Sequence, residues 1–355
     1  MDIKELFTPA AIAANWTEAA SNRIPYLGAG LFPARKKAGL DLSWLKGSKG
    51  IPISLMPSAF DAKATFRDRI GLTRVDTEMP FFREGFKLKE KDRQDLLRIT
   101  DSADPYAAEV IARVYDDANE LIEAADVVAE RMRMQLLFAP GGEAGITIQA
   151  NGVDYTYDYD ANDAWKGSNY FAMTGNDLWT NTSGADPFAQ IETVQNAVRG
   201  ATGTELATMV MNSTTFNLLK NLDALKERFL TTTGKSVAYI TKGDVVNVIG
   251  DTLGLNIAVY DKQYRDESKN VHKFVPDGYV SLIPAGALGG TWYGTTPEEA
   301  DLRGTNAAEV AIVNTGVAIT RVIDPHPVNV NTFASEIVLP SFERMDECAL
   351  MKVTA

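Results

Sequence analysis

A single uninterrupted amphipathic helix, predicted over residues 104–138, constrains the fold of this chain more than any other feature. Asp104 can cap the first-turn amides, and Pro105 suits the first helical position, which needs no N–H partner. Apolar residues recur at spacings of three and four and form one stripe: Val110, Val114, Ala118, Leu121, Ala125, Val128, Met132 and Leu136. At about 1.5 Å per residue this rod is roughly 50 Å long, far above the usual helix length, which suits the spine of a scaffold.

The rest of the chain alternates shorter helices and strands, which predicts an α+β fold. Its 355 residues are near the limit of one core, so two or more lobes are expected. We predict a hairpin turning at Asn151-Gly152 and helices at 186–200, from Ser213, and at 241–253, the last opened by a Thr241/Asp244 capping box. Strands are predicted at 206–211, 257–261, 273–284 (a pair turning at Asp277-Gly278), 310–314, 316–323, 337–339 and 349–353.

The region before the long helix has a different character. Residues 1–42 mix short apolar pieces with turn signals and cannot build a core alone, which predicts an arm that lies on something else. Residues 43–98 are typical of the strands of a long hairpin. Ten basic and seven acidic residues lie between Lys63 and Arg98, so we expect this hairpin to project and to meet charged partners.

Composition narrows the class of protein. The formal net charge of −12 argues against general electrostatic coating of DNA, which needs clustered Lys and Arg. The single cysteine, Cys348, excludes an internal disulfide framework and fits a reducing compartment. The N-terminus shows no secretory signal, and no apolar stretch approaches the length of a membrane span, so we expect folding in the cytoplasm and no membrane partner.

The usual catalytic constellations are poorly supplied. Only two histidines, His272 and His326, exist, which leaves little material for histidine-based catalysis or metal binding. The run Asp158–Asp163 begins like a calcium loop, but Asp163 replaces the turn glycine and Asn169 replaces the bidentate glutamate, which favours a solvated loop. We therefore expect no cofactor and no metal. Carboxylate pairs are too numerous to test by sequence spacing, so a carboxylate-based cytoplasmic hydrolase remains an alternative.

Three groups of passages resemble the lambda-type (E-protein-like) family of phage major capsid proteins, in the family's order and across nearly the whole chain. The first group is LDLSWLKG (40–47), PSAFDAKA (57–64) and EMPFF (78–82). The second is FVPDG (274–278), LIPAGALG (282–289) and WYGTTPEE (292–299). The third is SEIVLPSFE (335–343) and ALMKV (349–353).

The resemblance implies the HK97-like capsid fold. The arm would be residues 1–42, the extended hairpin called the E-loop 43–98, and the peripheral domain 99–185 with the spine helix at 104–138. The axial domain would be 186–310, and 311–355 would return to the peripheral domain. A chain that begins with the arm is expected to lack a fused scaffolding domain, so scaffolding protein and any protease would be separate.

The implied function is structural: a major capsid protein that self-assembles through pentamers and hexamers into an icosahedral head enclosing double-stranded DNA. Expected partners are other copies, a scaffolding protein, a portal and, in some systems, a decoration protein. An encapsulin-like compartment shell is the alternative with the same fold. Candidate apolar contacts between subunits, with ordinary hairpin packing as their alternative role, are Trp44, Leu45, Phe60, Phe66, Met79, Phe81 and Phe82.

Overall fold

A computed structural model describes residues 8–20, 25–46, 73–88, 106–150, 153–234, 240–266, 268–305, 308–326 and 328–355. The helices are α1 (Pro9–Ala20), α2 (Leu27–Leu31), α3 (Tyr106–Leu137), α4 (Ala164–Asn169), α5 (Pro187–Thr202), α6 (Ser213–Asn221), α7 (Asp223–Thr233) and α8 (Lys242–Leu253). The first strands are β1 (Ala34–Lys36), β2 (Asp41–Lys46), β3 (Thr73–Glu78), β4 (Phe81–Leu88), β5 (Gly145–Ala150), β6 (Val153–Asp158), β7 (Tyr170–Ala172) and β8 (Leu206–Met211). The later strands are β9 (Asn256–Val259), β10 (Gln263–Arg265), β11 (Val271–Lys273), β12 (Tyr279–Pro284), β13 (Gly290–Tyr293), β14 (Glu309–Val313), β15 (Val317–Pro325), β16 (Val328–Ser341) and β17 (Ala349–Lys352).

The long helix forms almost as predicted, with α3 ending one residue before Phe138. The predicted cap, Asp104-Pro105, lies outside the described residues. Of the predicted stripe, Val128 is half-buried, the side chains of Val110 and Val114 are outside the description, and five residues are buried: Ala118, Leu121, Ala125, Met132 and Leu136. A short 3-10 turn at Pro140–Gly142 follows, where Gly141 has a positive φ of 69° that glycine adopts without strain.

The chain divides into two compact units. Unit 1 consists of the described residues within Met1–Ser43, Asp76–Met132 and Gly290–Ser341. Its sheet has the strand order β1-β13-β16-β15-β14, with β4 also paired to β16. The 14-residue β16 organises this sheet, because it pairs antiparallel with β15, β4 and β13 along its length.

The core of unit 1 joins segments that are far apart in the sequence. Ile12 and Trp16 of α1 pack with three other sets of buried residues: Ala118, Leu121, Ile122 and Ala125 of α3, Val313 of β14, and Val317, Ile319 and Ala334 of β15 and β16. Phe32, which follows α2, is fully buried. The described part of the predicted arm therefore lies on its own unit and contributes to that core.

Unit 2 consists of the described residues within Trp44–Val75, Arg133–Gly289 and Phe342–Ala355. Its five-stranded sheet has the order β7-β17-β12-β8-β9, and its core draws buried residues from α5, α6, α7 and α8. Strand β17 thus belongs to unit 2, whereas the whole of 311–355 was expected to return to the peripheral domain. Strand β13, expected in the same domain as 186–289, lies in unit 1.

Several local predictions are confirmed and others are corrected. Strands β5 and β6 pair with Ala150 opposite Val153, as a two-residue hairpin turn requires, and Thr241 and Asp244 form the capping box. Helix α5 continues past Gly200 to Thr202 and is capped by Gly203, whose φ of 74° is left-handed. The N-cap of α6 is Asn212, one residue before the predicted Ser213.

The hairpin predicted at Asp277-Gly278 is wrong. Strand β11 pairs with β10, whereas β12 pairs with β8 and β17. The turn residues bond instead to the start of α6: Asn212 Nδ2 donates to Asp277 Oδ1 at 2.6 Å, and the Gly278 amide donates to Thr215 Oγ1 at 2.9 Å. These side-chain contacts hold the segment in a crossing connection between two sheets.

The predicted hairpin 43–98 is only partly described. Strands β2 and β3 form a two-stranded sheet, and the residues between them, 47–72, lie outside the described residues. The structure differs from the prediction at 81–88, because β4 leaves the ribbon and pairs with β16 over eight residue pairs, from Val330↔Leu88 to Ile337↔Phe81. Any projecting part of the hairpin therefore excludes β4.

Candidate assembly surfaces

Two of the candidate residues, Trp44 and Leu45, lie on β2 at the base of the hairpin and differ in exposure. Along β2 the side chains alternate, so Trp44 is buried at 7% exposure while Leu45 is 53% exposed. The Trp44 ring lies 5.4 Å from that of Tyr159, and Lys46 Nζ donates to the Tyr159 carbonyl at 2.8 Å. Trp44 is committed to packing within its own chain, whereas Leu45 presents an apolar surface, and its contact with another subunit stays a prediction.

The remaining described candidates lie in unit 1. Met79 is buried, and its amide donates to the Leu40 carbonyl at 2.9 Å. Phe81 and Phe82 are half-buried at the start of β4, and the Arg83 guanidinium lies 4.9 Å from the centre of the Phe81 ring. Phe60 and Phe66 lie outside the described residues. The described candidates are thus divided between the two units, with Trp44 and Leu45 in unit 2 and the other three in unit 1.

A partly buried ion pair in unit 1 escaped the sequence analysis. Arg83 forms a salt bridge with Glu298, which is 5% exposed, and Ser335 Oγ donates to the second Glu298 oxygen at 2.9 Å. Desolvated carboxylates need such partners. Spacing could not bring 83, 298 and 335 together, but Glu298 and Ser335 both lie in passages that carry the family resemblance.

The calcium-like run Asp158–Asp163 has a structural role. The Asp160 carboxylate accepts the amides of Trp165 and Lys166 at 3.0 and 2.9 Å, which caps α4, and it lies 3.6 Å from Lys46 Nζ. Asp160 is buried, unlike the solvated loop that the sequence favoured. Within the ranges that the structure describes, no group of three or more His, Cys, Asp or Glu side chains could hold a metal ion.

The described histidines and the cysteine do not form a catalytic arrangement. His272 Nε2 lies 2.8 Å from Asp266 Oδ2 on an exposed hairpin, and this hydrogen bond lowers the pKa of Asp266. His326 is exposed at a turn. Burial raises the pKa of the Cys348 thiol, which disfavours the nucleophilic thiolate. Among the described helices, none has the length and apolar character to cross a bilayer.

Comparison with known proteins identifies the family. The sequence model described as phage major capsid protein E matches residues 8–353. The chain belongs to this family. A phage-related protein from Bordetella bronchiseptica RB50 is 14% identical with a TM-score of 0.55, and the alignment covers 96% of each chain. A chain of the cyanophage A-1(L) capsid asymmetric unit is 14% identical with a TM-score of 0.53, and the alignment covers 93% of this chain and 92% of that one. The search of curated proteins found no match.

The match and the two structures confirm the fold and class that the sequence predicted. At 14% identity the solved structures show the fold alone, which is the α+β HK97-like capsid fold. The family match over nearly the full chain shows a major capsid protein of a phage or prophage, whose role is structural. The surfaces through which capsid subunits assemble are therefore its candidate functional sites.

Proposed function

We propose that copies of this capsid protein assemble through pentamers and hexamers into the icosahedral head of a tailed phage or prophage and enclose double-stranded DNA. The observation that carries the proposal is the family match across residues 8–353. Folding and assembly would take place in the host cytoplasm, without a cofactor. The net charge of −12 supports a wall that attracts DNA only weakly and so does not hinder filling.

The parts of the fold suggest a division of labour. Unit 1 with α3 would be the peripheral domain, and the helices and sheet of unit 2 would form the axial domain around the five- and six-fold axes. The β2–β3 ribbon would be the base of an E-loop that overlies a neighbour. Such head-to-tail contacts extend indefinitely unless curvature closes the shell, and each contact can be modest because one subunit has many neighbours.

Other partners are part of the proposal. A scaffolding protein, a portal and, in some shells, a decoration protein would act on this subunit as separate chains. The encapsulin-like alternative shares the fold, but the family match favours the phage function. Packaged DNA in purified particles would distinguish a phage head, whereas enclosed cargo enzymes would indicate a compartment. The hydrolase alternative has no supporting observation among the described residues.

The experiment that tests assembly is removal of the hairpin tip. A deletion of about 45–90, most of the predicted hairpin, would also remove Met79 and β4, whose loss would disrupt unit 1. The sharper variant replaces residues 47–72 with a flexible linker between β2 and β3. We expect the wild type to form shells in negative-stain micrographs and the variant to stay folded but unassembled. Normal shells from the variant would contradict the role of the hairpin.

A further inference from the structure

One face of a small sheet in unit 2 has no partner strand or helix among the described residues. Strands β5 and β6 form a two-stranded sheet, in which Ile146 and Ile148 are buried on one face. The opposite face carries three cross-strand pairs, Gly145↔Asp158, Thr147↔Thr156 and Gln149↔Asp154. Apart from half-buried Gly145, all these residues are exposed. This polar face is therefore exposed to solvent in the single chain and open to a partner.

A groove runs along this face. It has a volume of about 520 Å³ and lies between the β5–β6 face and the segment after α3, from Pro140 to Ala144. Gln135 lines the groove and is hydrogen-bonded to the edge of β5. Its side-chain Nε2 donates to the Thr147 carbonyl at 3.0 Å, and its Oε1 accepts the Thr147 amide at 3.2 Å. The groove is therefore bounded by fixed backbone.

The groove carries an excess of negative charge. Glu143, Asp158, Asp160 and Asp163 line it, and Asp154 continues the same face toward the end of the hairpin. Two lysines reach these groups: Lys46 is 3.6 Å from Asp160, and Lys166 is 3.5 Å from Glu143 and 4.0 Å from Asp163. Glu143 and Asp163 remain mostly exposed, with side-chain exposures of 79% and 78%. The occupant that this face fits is an extended segment with cations at alternate positions.

The chain itself contains such a segment. Lys87, Lys89, Lys91 and Arg93 occupy every second position. Side chains at alternate positions of an extended chain share one side, and Lys87 already projects into solvent from the end of β4. The spacings also agree, because Asp154 and Asp158, like Lys87 and Lys91, are four residues apart, or about 13 Å along a strand. By contrast, Arg35 and Lys36 are engaged by Trp292 and Glu299.

We propose that the β5–β6 face and its groove, carrying Glu143, Asp154 and Asp158, bind the basic segment 87–93 of a second copy of this chain. This inference rests on the proposed function, since it requires that copies assemble. It adds a specific charged contact between subunits, beyond the apolar candidates in the hairpin. Opposite charges that face each other fix the register between partners, and like charges exclude wrong ones.

The test is a charge swap. Glu143→Lys with Asp154→Lys reverses the face without touching Asp158, whose Oδ1 accepts the Asp160 amide. Lys89→Glu with Lys91→Glu reverses the segment. Each double variant should lower the fraction of protein in shells about ten-fold in sedimentation velocity, because like charges then meet, and the four-fold combination should recover most of the loss. Asp117→Lys with Glu120→Lys, two exposed sites on α3 in unit 1, is the control with the same change of net charge as the face variant, and it should assemble like the wild type.

The readouts separate the possible failures. If the face variant forms shells like the wild type, or if the four-fold variant restores no assembly, the proposed contact between the face and segment 87–93 is overturned while the proposed function stands. An equal loss in the control variant would attribute the effect to net charge and would also overturn it. If the segment variant lowers the melting temperature of the unassembled subunit, the basic segment makes its contact within one chain, which overturns the proposal. The face variant is not used for this readout, because Asp154 accepts hydrogen bonds from Gln149 and Thr156 within the hairpin. Failure of the wild type to form any shells would overturn the proposed function itself.

Discussion

The two units build their cores from different kinds of sequence. In unit 2 the buried cluster comes mostly from one continuous block, Trp179 to Leu282, completed by Ala349–Val353. In unit 1 the cluster joins Ile12 and Trp16 to residues of α3 more than a hundred positions later and to strands near the end of the chain. Unit 2 can therefore form largely from local elements, whereas unit 1 must close long loops before its core is complete.

This difference predicts which parts of the protein unfold locally when a core residue is substituted. A defect in unit 2 should spread through one cooperative core. A defect in unit 1 should first release α1, because Ile12 and Trp16 are the residues through which that helix joins the buried cluster. With two units present, a single unfolding midpoint is not a sufficient measure, and local amide exchange is the appropriate readout.

The largest expected effect is that of Trp16→Ala. The side chain is 3% exposed, and its Nε1 donates to Asn314 Oδ1 at 3.3 Å. Truncation of a buried tryptophan costs about 3–5 kcal/mol. We expect amide exchange to rise in α1, with β8 and β12 unaffected. The matched variant is Trp179→Ala, fully buried in unit 2 with its indole bonded to Gln190, which should raise exchange throughout that unit. Equal responses in both units would contradict the comparison.

The next largest effect concerns the pairing of β4 with β16, the long strand at the centre of the unit 1 sheet. Gly85 lies opposite Phe333, and a Cβ at this position would come within 2.4 Å of the phenylalanine ring and 2.8 Å of the Thr332 carbonyl. Gly85→Ala should therefore destabilise unit 1 by about 1–3 kcal/mol, as overpacking does. Gly30→Ala, in α2 with open space around it, is the control; it adds helix propensity without a clash and should leave the stability in denaturant unfolding unchanged or slightly raised. A neutral Gly85→Ala would show that β4 can shift away from β16.

The contrast between local contacts in unit 2 and long-range contacts in unit 1 also explains which strands and caps could be predicted from the sequence. In unit 2, strand β8 forms at the predicted residues 206–211, and the capping box opens α8 as expected. Both features are determined by residues that are neighbours in the sequence. In unit 1, only 337–339 of β16 was predicted, and β13 was not. Buried polar residues, among them Asn329, Thr332 and Ser335, interrupt the apolar pattern of β16.

The candidate surface was harder to predict than the fold. The burial of Trp44 against Tyr159 and the pairing of Arg83 with Glu298 depend on contacts between distant segments, which no local spacing encodes. The acidic face of β5–β6 is a partial exception. Its hairpin was predicted from Asn151-Gly152, and strand alternation then places Asp154 and Asp158 on one side. The groove beside that face needed the structure.

A moderate effect is expected from the α8 cap in unit 2. Thr241 Oγ1 accepts the Asp244 amide at 3.2 Å, and Asp244 Oδ2 accepts the Thr241 amide at 2.9 Å. Thr241→Ala should cost about 1 kcal/mol, as loss of an N-cap usually does. Thr241→Ser keeps the hydroxyl and should cost much less. The comparison by denaturant unfolding would fail if both variants lost the same stability, because side-chain capping would then contribute nothing here.

The smallest effect is a gain, and it tests whether local signals determine the stability of unit 2. Gly200 lies inside α5, and no heavy atom is within 4 Å of the position that an added Cβ would occupy, so Gly200→Ala adds helix propensity without a clash. We expect an increase of about 0.5–1 kcal/mol in the free energy of unfolding. Gly203→Ala is the matched opposite, because its φ of 74° strains any residue with a Cβ, and it should destabilise the same helix end. If the two substitutions changed stability in the same direction, helix propensity and backbone strain would not govern this end of α5.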